Sequence, residues 1–409
     1  MQKEYYTGKN KEFTVNIVNN QIDSVRKKET IRRSVRLNKD NILGISGTQT
    51  DLEFSELEKR AEQSLSAGVP IEYSFPDGDS REWDIRQKKF EDEEILKITE
   101  NILSKMTAAY PEFIFSNKVM YSDRMRSIKN TEGVDYAVKS NRLSIGLVWK
   151  HKESTGIMDG FWGNDYGTDI DTEQFVQRAK PFMEKFNTVK DIDDSSITVL
   201  FPEYTSSMPF RFLRAHINGE SIQKGASYFK DNVGNKVFSG DFSLYDVNIH
   251  EDEGICSPFD GDGYRRDERS LPVFENGVFV NPLYDLKRAQ KYDKKPTGTS
   301  SRAYNSTTSI SANLLMVPEI DMYLKDIERA VIVLMSSGGD YQDNGDISMP
   351  VQLGYLVENG NIIGRIPDII LTNNIDKLFN EHYIGALHDG LFEDRLSKYI
   401  GFKMNINKG

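Results

Sequence analysis

The sequence predicts an α+β fold of two domains, residues 1–190 and 191–409, with antiparallel or mixed sheets and packed helices. Three observations carry that expectation. The chain has 409 residues, more than one ordinary domain of about 150 needs. Segments with period-two alternation follow one another in runs instead of alternating singly with helices, which argues against a doubly wound parallel sheet. Asn-Gly also interrupts two apolar runs, Val273–Val280 and Leu356–Ile363, and supplies the positive φ values of a type I′ hairpin turn.

Taken in order, residues 12–47 read as a meander of four strands. Phe13, Val15 and Ile17 alternate with polar residues, Asn19-Asn20 turns the chain, and Ile22 and Val25 begin the return. Ile31, Val35 and Leu37 mark a third strand, and Ile42–Ile45 a fourth after the turn at Asn38–Asn41. Thr50 and Glu53 fit a capping box for a helix bearing Phe54, Leu57, Ala61 and Leu65 on one face, with Gly68 to close it. A second helix is expected over 91–109, where Ile95, Ile98, Ile102, Met106 and Ala109 share a face and Pro111 stops the run.

From Phe113 to Lys150 the pattern returns to strands, with Gly133 and Asn141 placed in turns. A Gly/Asp-rich stretch, Met158–Asp171, leads to a helix over 172–187 that Pro181 kinks or restarts. The domain boundary is placed at Asp191–Asp194, ahead of the short buried-strand signal Ile197–Phe201. A helix starts near Pro209, a residue suited to the first helical turn, with Phe210, Leu213 and Ile217 on one face. Further helices are expected at 283–292, 319–329 and 374–380.

Composition limits the function. Hydrophobic residues form 38% and charged residues 28%, and 22 Phe, 19 Tyr and 3 Trp supply enough apolar bulk for a folded core. The formal net charge of −11 argues against a general affinity for nucleic acid or anionic membrane, which needs clustered positive charge. The single cysteine, Cys256, excludes an intramolecular disulfide and a Cys-rich metal cluster. Ala330–Met335, the longest apolar run, is far short of the ~20 residues a membrane helix needs. Met1–Tyr6 has no apolar stretch of a secretory signal, so a cytoplasmic location is expected.

No catalytic constellation emerges from residue spacing. His151, His216, His250, His382 and His388 include no His-Glu-x-x-His or His-Glu-x-x-x-His pair, which would place two imidazoles on one helix for zinc. His250-Glu251 begins such a pattern, but Gly254 and Ile255 stand where the second histidine belongs. No metal and no cofactor are therefore expected. The acidic clusters Asp165–Glu173 and Asp246–Glu253 lack the order of a calcium loop and read as solvated loops. Ser336–Asp340 and Thr297–Ser301 lack the nucleophile elbow of a serine hydrolase, and there is no phosphate-cradling glycine motif. Arg26-Lys27-Lys28 with Arg32, Arg33 and Arg36 reads as one solvated sheet face. In Asp260-Gly261-Asp262-Gly263-Tyr264-Arg265-Arg266-Asp267, glycines adjoin paired arginines. That run is either a clamp for a peptide carboxylate or a charged turn ahead of the first Asn-Gly hairpin.

The order of segments resembles the TldD/PmbA family, whose members are known as modulators of DNA gyrase and as peptidases. Phe13–Val25 resembles the family's opening hairpin, and Gln223–Phe229 followed by Gly234–Val237 is similar to a core segment. Asp260–Arg266, Lys295–Gly298 and the loop Ser336–Asp346 before the second Asn-Gly hairpin also resemble it, in the family's order and across nearly the whole chain. One kind of member carries His-Glu-x-x-x-His on a helix and a third Cys ligand near the C-terminus. The PmbA-like kind lacks these ligands and pairs with the first. Counting back from Lys224-Gly225 puts Phe210, Arg211 and Ala215 at the motif's His, Glu and His, and residues 381–409 hold no Cys.

The resemblance thus implies the PmbA-like kind, a dimer with a groove for unfolded or modified peptides, and hydrolysis, if any, by a zinc-bearing partner. The helix that often precedes the family's first strand is missing from Met1–Glu12. Asp260, Asp262, Arg265, Arg266, Gly338 and Gly339 are the residues expected at the peptide groove, by residue type and resemblance. The alternative function is a stand-alone, non-catalytic peptide-binding or scaffold homodimer. A hydrolase with a metal site rebuilt from His216, His250, His382 or His388 ranks third.

Overall fold

The computed structural model describes residues 1–167, 169–202, 207–250, 255–392 and 398–408, with only the backbone described for Ile249, His250, Ile255, Cys256 and Lys408. The first half is built on long strands. β1 (Gln2–Val18) and β2 (Gln21–Lys39) pair antiparallel through Asn19 (φ 51) and Asn20 (φ 66), left-handed conformations that asparagine tolerates. β3 (Ile42–Thr48) returns along β2, and α1 (Phe54–Ser64) lays Leu57 and Ala61 on Val35 and Leu37. The expected second and third strands are one. Asp23–Glu29 is exposed on both faces, so the strand continues where the apolar alternation that would reveal it is absent. The helix cap is Glu53, without a side-chain cap bond, so the expected Thr50 capping box does not form.

β4 (Ser80–Asp84), α2 (Asp92–Ala109), β5 (Phe113–Asn130), β6 (Asp135–His151), β7 (Gly160–Tyr166) and α3 (Thr172–Glu184) complete this half. The sheet order is β3-β2-β1-β5-β6-β4, and β7 joins the second half of β6. Ile95, Ile102 and Met106 of α2 and Phe175 and Phe182 of α3 pack with Phe113, Phe115 and Val119 of the sheet. Pro181 lies inside α3 without ending it. Asn141 stands within β6, not in a turn: its buried amide donates to the Lys88 carbonyl at 2.8 Å and to Tyr121 Oη at 3.0 Å.

The second half begins with β8 (Ser196–Phe201), α4 (Met208–His216), α5 (Gly219–Gln223) and β9 (Leu244–Val247). Two-residue strands β10 (Ile249–His250) and β11 (Ile255–Cys256) follow, then β12 (Ser270–Glu275), β13 (Val278–Phe279) and α6 (Leu286–Lys291). After β14 (Ser300–Ser301), β15 (Ser309–Ile310) and β16 (Leu314–Met316) come β17 (Arg329–Ser336), β18 (Asp340–Tyr341) and β19 (Asp346–Glu358). β20 (Asn361–Arg365), β21 (Ile369–Asn374), α7 (Ile375–Leu378), β22 (Tyr383–Gly390) and β23 (Lys398–Lys408) end the chain. Both expected Asn-Gly turns are present, with Asn276 and Gly277 at φ 49 and 79 and Asn359 and Gly360 at φ 47 and 76.

β8 lies between β17 and β23, β23 reaches β21, β21 pairs with the start of β19, and the end of β19 returns to β17. These pairings close a ring of five strands. A second sheet runs β13-β12-β9-β16. Between the sheets lies an aromatic core in which Phe210, Phe212, Phe229, Phe238, Phe242, Phe274 and Phe379 are buried. The core of the first half crosses the link at Asp191–Asp194: Ile332, Leu353, Tyr355 and Val357 belong to the same cluster as Trp162 and Phe182. Phe182 meets Tyr355 edge-on at 5.2 Å.

The helix expected at 319–329 is reduced to one 3₁₀ turn, Leu324–Asp326. The Ile320 N–H bonds the Ala386 carbonyl and the Leu324 N–H bonds the Asp389 carboxylate, so these groups serve cross-chain pairing instead of a helix. Among the described residues, no helix is long and apolar enough to cross a membrane.

Candidate functional site

The N-terminal end of α4 meets both halves of the molecule. Pro209 sits in the first turn, where its missing N–H costs no helical bond. Phe210, Phe212 and Leu213 face the aromatic core, leaving Arg211, Arg214 and Ala215 exposed. A cavity of about 120 Å³ opens at this end, lined by Phe161 and Gly163 of β7, Phe201, Pro202, Ser207 and the end of β17 at Val333–Ser336. Phe161 is 47% exposed. β7 pairs with β6 alone among the described strands.

The expected groove residues fall in two places. Gly338 (φ 72) and Gly339 (φ 93) lie in the exposed loop after β17, beside α4. A Cβ at Gly339 would approach the Ser348 carbonyl oxygen to 2.6 Å and Met208 Cε to 2.9 Å, which explains the glycine. Asp260–Arg266 lies far from this loop, against the first-half sheet. Asp260 accepts from the N–H groups of Asp262, Tyr264 and Ser300 and folds the loop around itself. Burial and the charge of Asp262 push the Asp260 carboxyl well above its usual range.

Asp262 is fully buried and accepts from Tyr73 Oη at 3.1 Å. The Arg266 guanidinium is also buried, bonded to Asp246 Oδ2, the Asp246 and Thr297 carbonyls and the Glu268 carbonyl. Its donors hold β9 to the 297 loop, so Arg265, paired with Asp267 at 3.0 Å, is the solvent-facing arginine of the two. The order of motifs that the sequence presents is therefore a set of structural joints as well as surface loops.

Residues 194–388 match the family model described as the PmbA/TldA metallopeptidase C-terminal domain. This match assigns the second half of the chain, residues 194–388, to a domain of the TldD/PmbA family. The chain superposes on TldE from Thermococcus kodakarensis with a TM-score of 0.83, at 17% identity, covering 99% of this chain and 96% of that one. A protein of Thermotoga maritima, described as a candidate modulator of a DNA gyrase, aligns with a TM-score of 0.81 at 21% identity, covering 99% and 96%. An uncharacterized protein of Methanocaldococcus jannaschii is 24% identical over 378 residues, 91% of this chain and 88% of its own. A protein of Archaeoglobus fulgidus named as a metalloprotease is 23% identical over 176 residues, 41% of this chain and 40% of its own.

At the positions that counting back from Lys224-Gly225 assigns to zinc ligands, the residues do not fit the metal. Phe210 offers a buried ring, Arg211 a cation and Ala215 a methyl group, none of which ligates zinc. His216, one residue on, stacks against Phe212 at 4.2 Å and accepts the Tyr228 N–H on Nδ1 at 3.0 Å. Burial lowers its pKa, favouring the neutral ring. His382 accepts the Asn373 amide N–H on Nδ1 at 2.9 Å, and His388 pairs with Glu319 at 2.8 Å. His151 contacts Asn187 and Glu112. The side chains of His250 and Cys256 and residues Glu251–Gly254 lie outside the described residues.

What residue spacing missed is the buried joint between the two halves. Glu4 and Arg36 face each other across β1 and β2, bonded at 2.9 and 2.7 Å, and Arg302 reaches Glu4 at 2.5 Å. Arg36 is thus 1% exposed and not part of a solvated face. Only the strand register discloses the pair, since the residues are separated by 32 positions.

Proposed function

We propose that this protein is a PmbA-like component of a TldD/PmbA peptidase system that handles unfolded or modified peptides while a zinc-bearing family partner cuts them. The observation that carries the reading is the donor set on α4: Phe210, Arg211 and Ala215 where the motif's ligands belong. The place of β7, which pairs with β6 alone among the described strands and lines the α4 cavity, supports a peptide mode of binding. An extended segment added to a sheet edge gains main-chain hydrogen bonds whatever its sequence, which suits a protein that handles unfolded chains. Exposed Phe161 and the apolar residues at the end of β17 offer a seat for one side chain of such a segment. Gly338 and Gly339 follow Ser336, which lines that seat, whereas Asp260, Asp262 and Arg266 shape the scaffold against the first-half sheet and Arg265 remains a peripheral contact.

The test is hydrolysis of an unstructured polypeptide by the chain alone, by a zinc-bearing family member from the same cell alone, and by the mixture, each with and without a chelator. The reading expects activity in the mixture above that of the partner, abolished by chelation, and none from this chain. Chelator-sensitive cleavage by this chain alone would overturn it. Binding of an extended peptide with no stimulation of any partner would favour the stand-alone homodimer instead.

A further inference from the structure

A second cleft, remote from α4, collects positive charge in an acidic protein. Register places Arg32 and Arg126 on either side of Gly8 in one row across β2, β1 and β5, and Arg124 beside Asn10 in the next row. At Gly8 the Tyr6 hydroxyl lies 2.9 Å from where a Cβ would stand, so the tip of that ring sits between the arginines. An open cavity of about 500 Å³ lies over this face, lined by Tyr6, Asn10 and the three arginines. Tyr6 and Arg126 also line a smaller adjoining cavity of about 200 Å³, walled by Ser300 and Arg302 from the second half. Among the described residues lining the two cavities there is no Asp or Glu, against a net charge of −11 for the chain.

The inner end is built around Arg302. Its side chain is 2% exposed and pairs with Glu4, yet Nε and Nη1 have no hydrogen-bond acceptor among the described residues. Ser300 Oγ and Asn10 Oδ1 are also buried at the same cleft with no partner among the described residues. Arg36 and Arg302 balance Glu4 and Asp262. Arg126 is held over Phe259 by a 2.6 Å bond to its carbonyl and interacts with the buried Asp260 carboxyl, while Arg124 and Arg32 are exposed and add positive charge at the mouth of the cleft. Buried guanidinium donors left unmade are costly, and planar forks of this kind match the oxygens of a carboxylate or phosphate.

We propose that this cleft binds an oxyanion, carboxylate or phosphate, with Arg302 and Ser300 at its inner end and Arg126, Arg124 and Arg32 toward solvent. The site stands independently of whether the chain serves a catalytic partner.

Titration calorimetry of the full chain would use three probes: inorganic phosphate, trialanine with a free C-terminal carboxylate, and trialanine amide. Saturable binding of phosphate or of the free acid, weaker in added salt and absent for the amide, is expected. Phosphate alone identifies a phosphate site, and the free acid alone identifies a peptide terminus. Arg124→Gln and Arg32→Gln are exposed changes that leave the fold intact, and each is expected to weaken binding roughly tenfold. Arg302 is tested as Glu4→Gln with Arg302→Gln, so that no buried charge is stranded, and loss of binding is expected. The proposal is overturned if neither anion binds, if the amide binds as well as the acid, or if the Arg32/Arg124 double variant binds like the parent.

Discussion

Replacing Glu4 by Gln removes one charge and little volume from the joint between β1, β2 and the 302 loop. Glu4 is 1% exposed and serves two arginines, Arg36 through both carboxylate oxygens and Arg302 through one. In the variant Arg36 keeps Tyr73 Oη at 3.0 Å and Asp262 at 3.6 Å. Arg302 keeps only its position over the Tyr6 ring at 5.5 Å. The stranded charge is therefore that of Arg302. Removing one partner of a buried pair costs about 3–5 kcal/mol, roughly a fifth or more of the ~5–15 kcal/mol stability of an ordinary domain.

Urea unfolding measures this through two signals. Trp83, Trp149 and Trp162 all lie in the first half and report it by fluorescence, while far-ultraviolet dichroism reports the strands of both halves. The shared core predicts coincident transitions, because Tyr355 and Phe182 cannot separate without exposing both halves. The double variant Glu4→Gln with Arg302→Met removes the stranded charge and should recover at least about 2 kcal/mol of the single-variant loss. A Glu4→Gln shift worth under about 1 kcal/mol, or no recovery in the double variant, refutes the reasoning.

The same residue gives a pH signature. Burial by itself raises the Glu4 carboxyl, but the charges of Arg302 and Arg36 outweigh it and hold the pKa below the usual value. A depressed folded-state pKa contributes stability that is present above the unfolded value of about 4.3 and is lost as pH falls through the folded one. The stability difference between parent and Glu4→Gln should therefore shrink below about pH 4, read from urea midpoints across pH; a difference unchanged to pH 3 would contradict it. Tyr355→Phe deletes a buried hydroxyl that has no partner among the described residues and should leave stability unchanged or raise it by about 1 kcal/mol; a clear loss of stability would refute this. Gly338→Ala, at φ 72 with open space, should cost about 1 kcal/mol, and Gly339→Ala, at φ 93 against the Ser348 carbonyl, clearly more. Equal losses in thermal melts would refute the packing argument. Asn141→Ala removes two buried donations and the acceptor for the Gln87 N–H, and should cost about 2–3 kcal/mol by urea unfolding.

Much of the architecture was legible because it repeats locally. The apolar periodicity of Ile95–Met106 locates α2 and the Asn-Gly dipeptides locate both hairpin turns. What stayed hidden depends on distant partners. The middle of β2 carries charge on both faces and gives no alternation, although β1 pairs with its whole length. The stretch 319–329 has helical spacing, yet its backbone is claimed by β22. Residue type and resemblance pointed to the Gly338-Gly339 loop, which lies against Met208 of α4. The Arg265-Arg266 pair could not be divided into an exposed and a buried member without knowing that Asp246 lies behind it.

The ring of five strands also sets a timetable for synthesis. β8 sits between β17 and β23, and β23 emerges about two hundred residues after β8. At ribosomal rates of about 5–20 residues per second, β8 waits roughly 10–40 s for its second neighbour. During that time Ile197, Val199 and Phe201 belong to an unmatched edge strand, the kind of surface that pairs with other chains. Slow maturation of the second half, and a need for protection while the last strand is made, follow from where the ring closes.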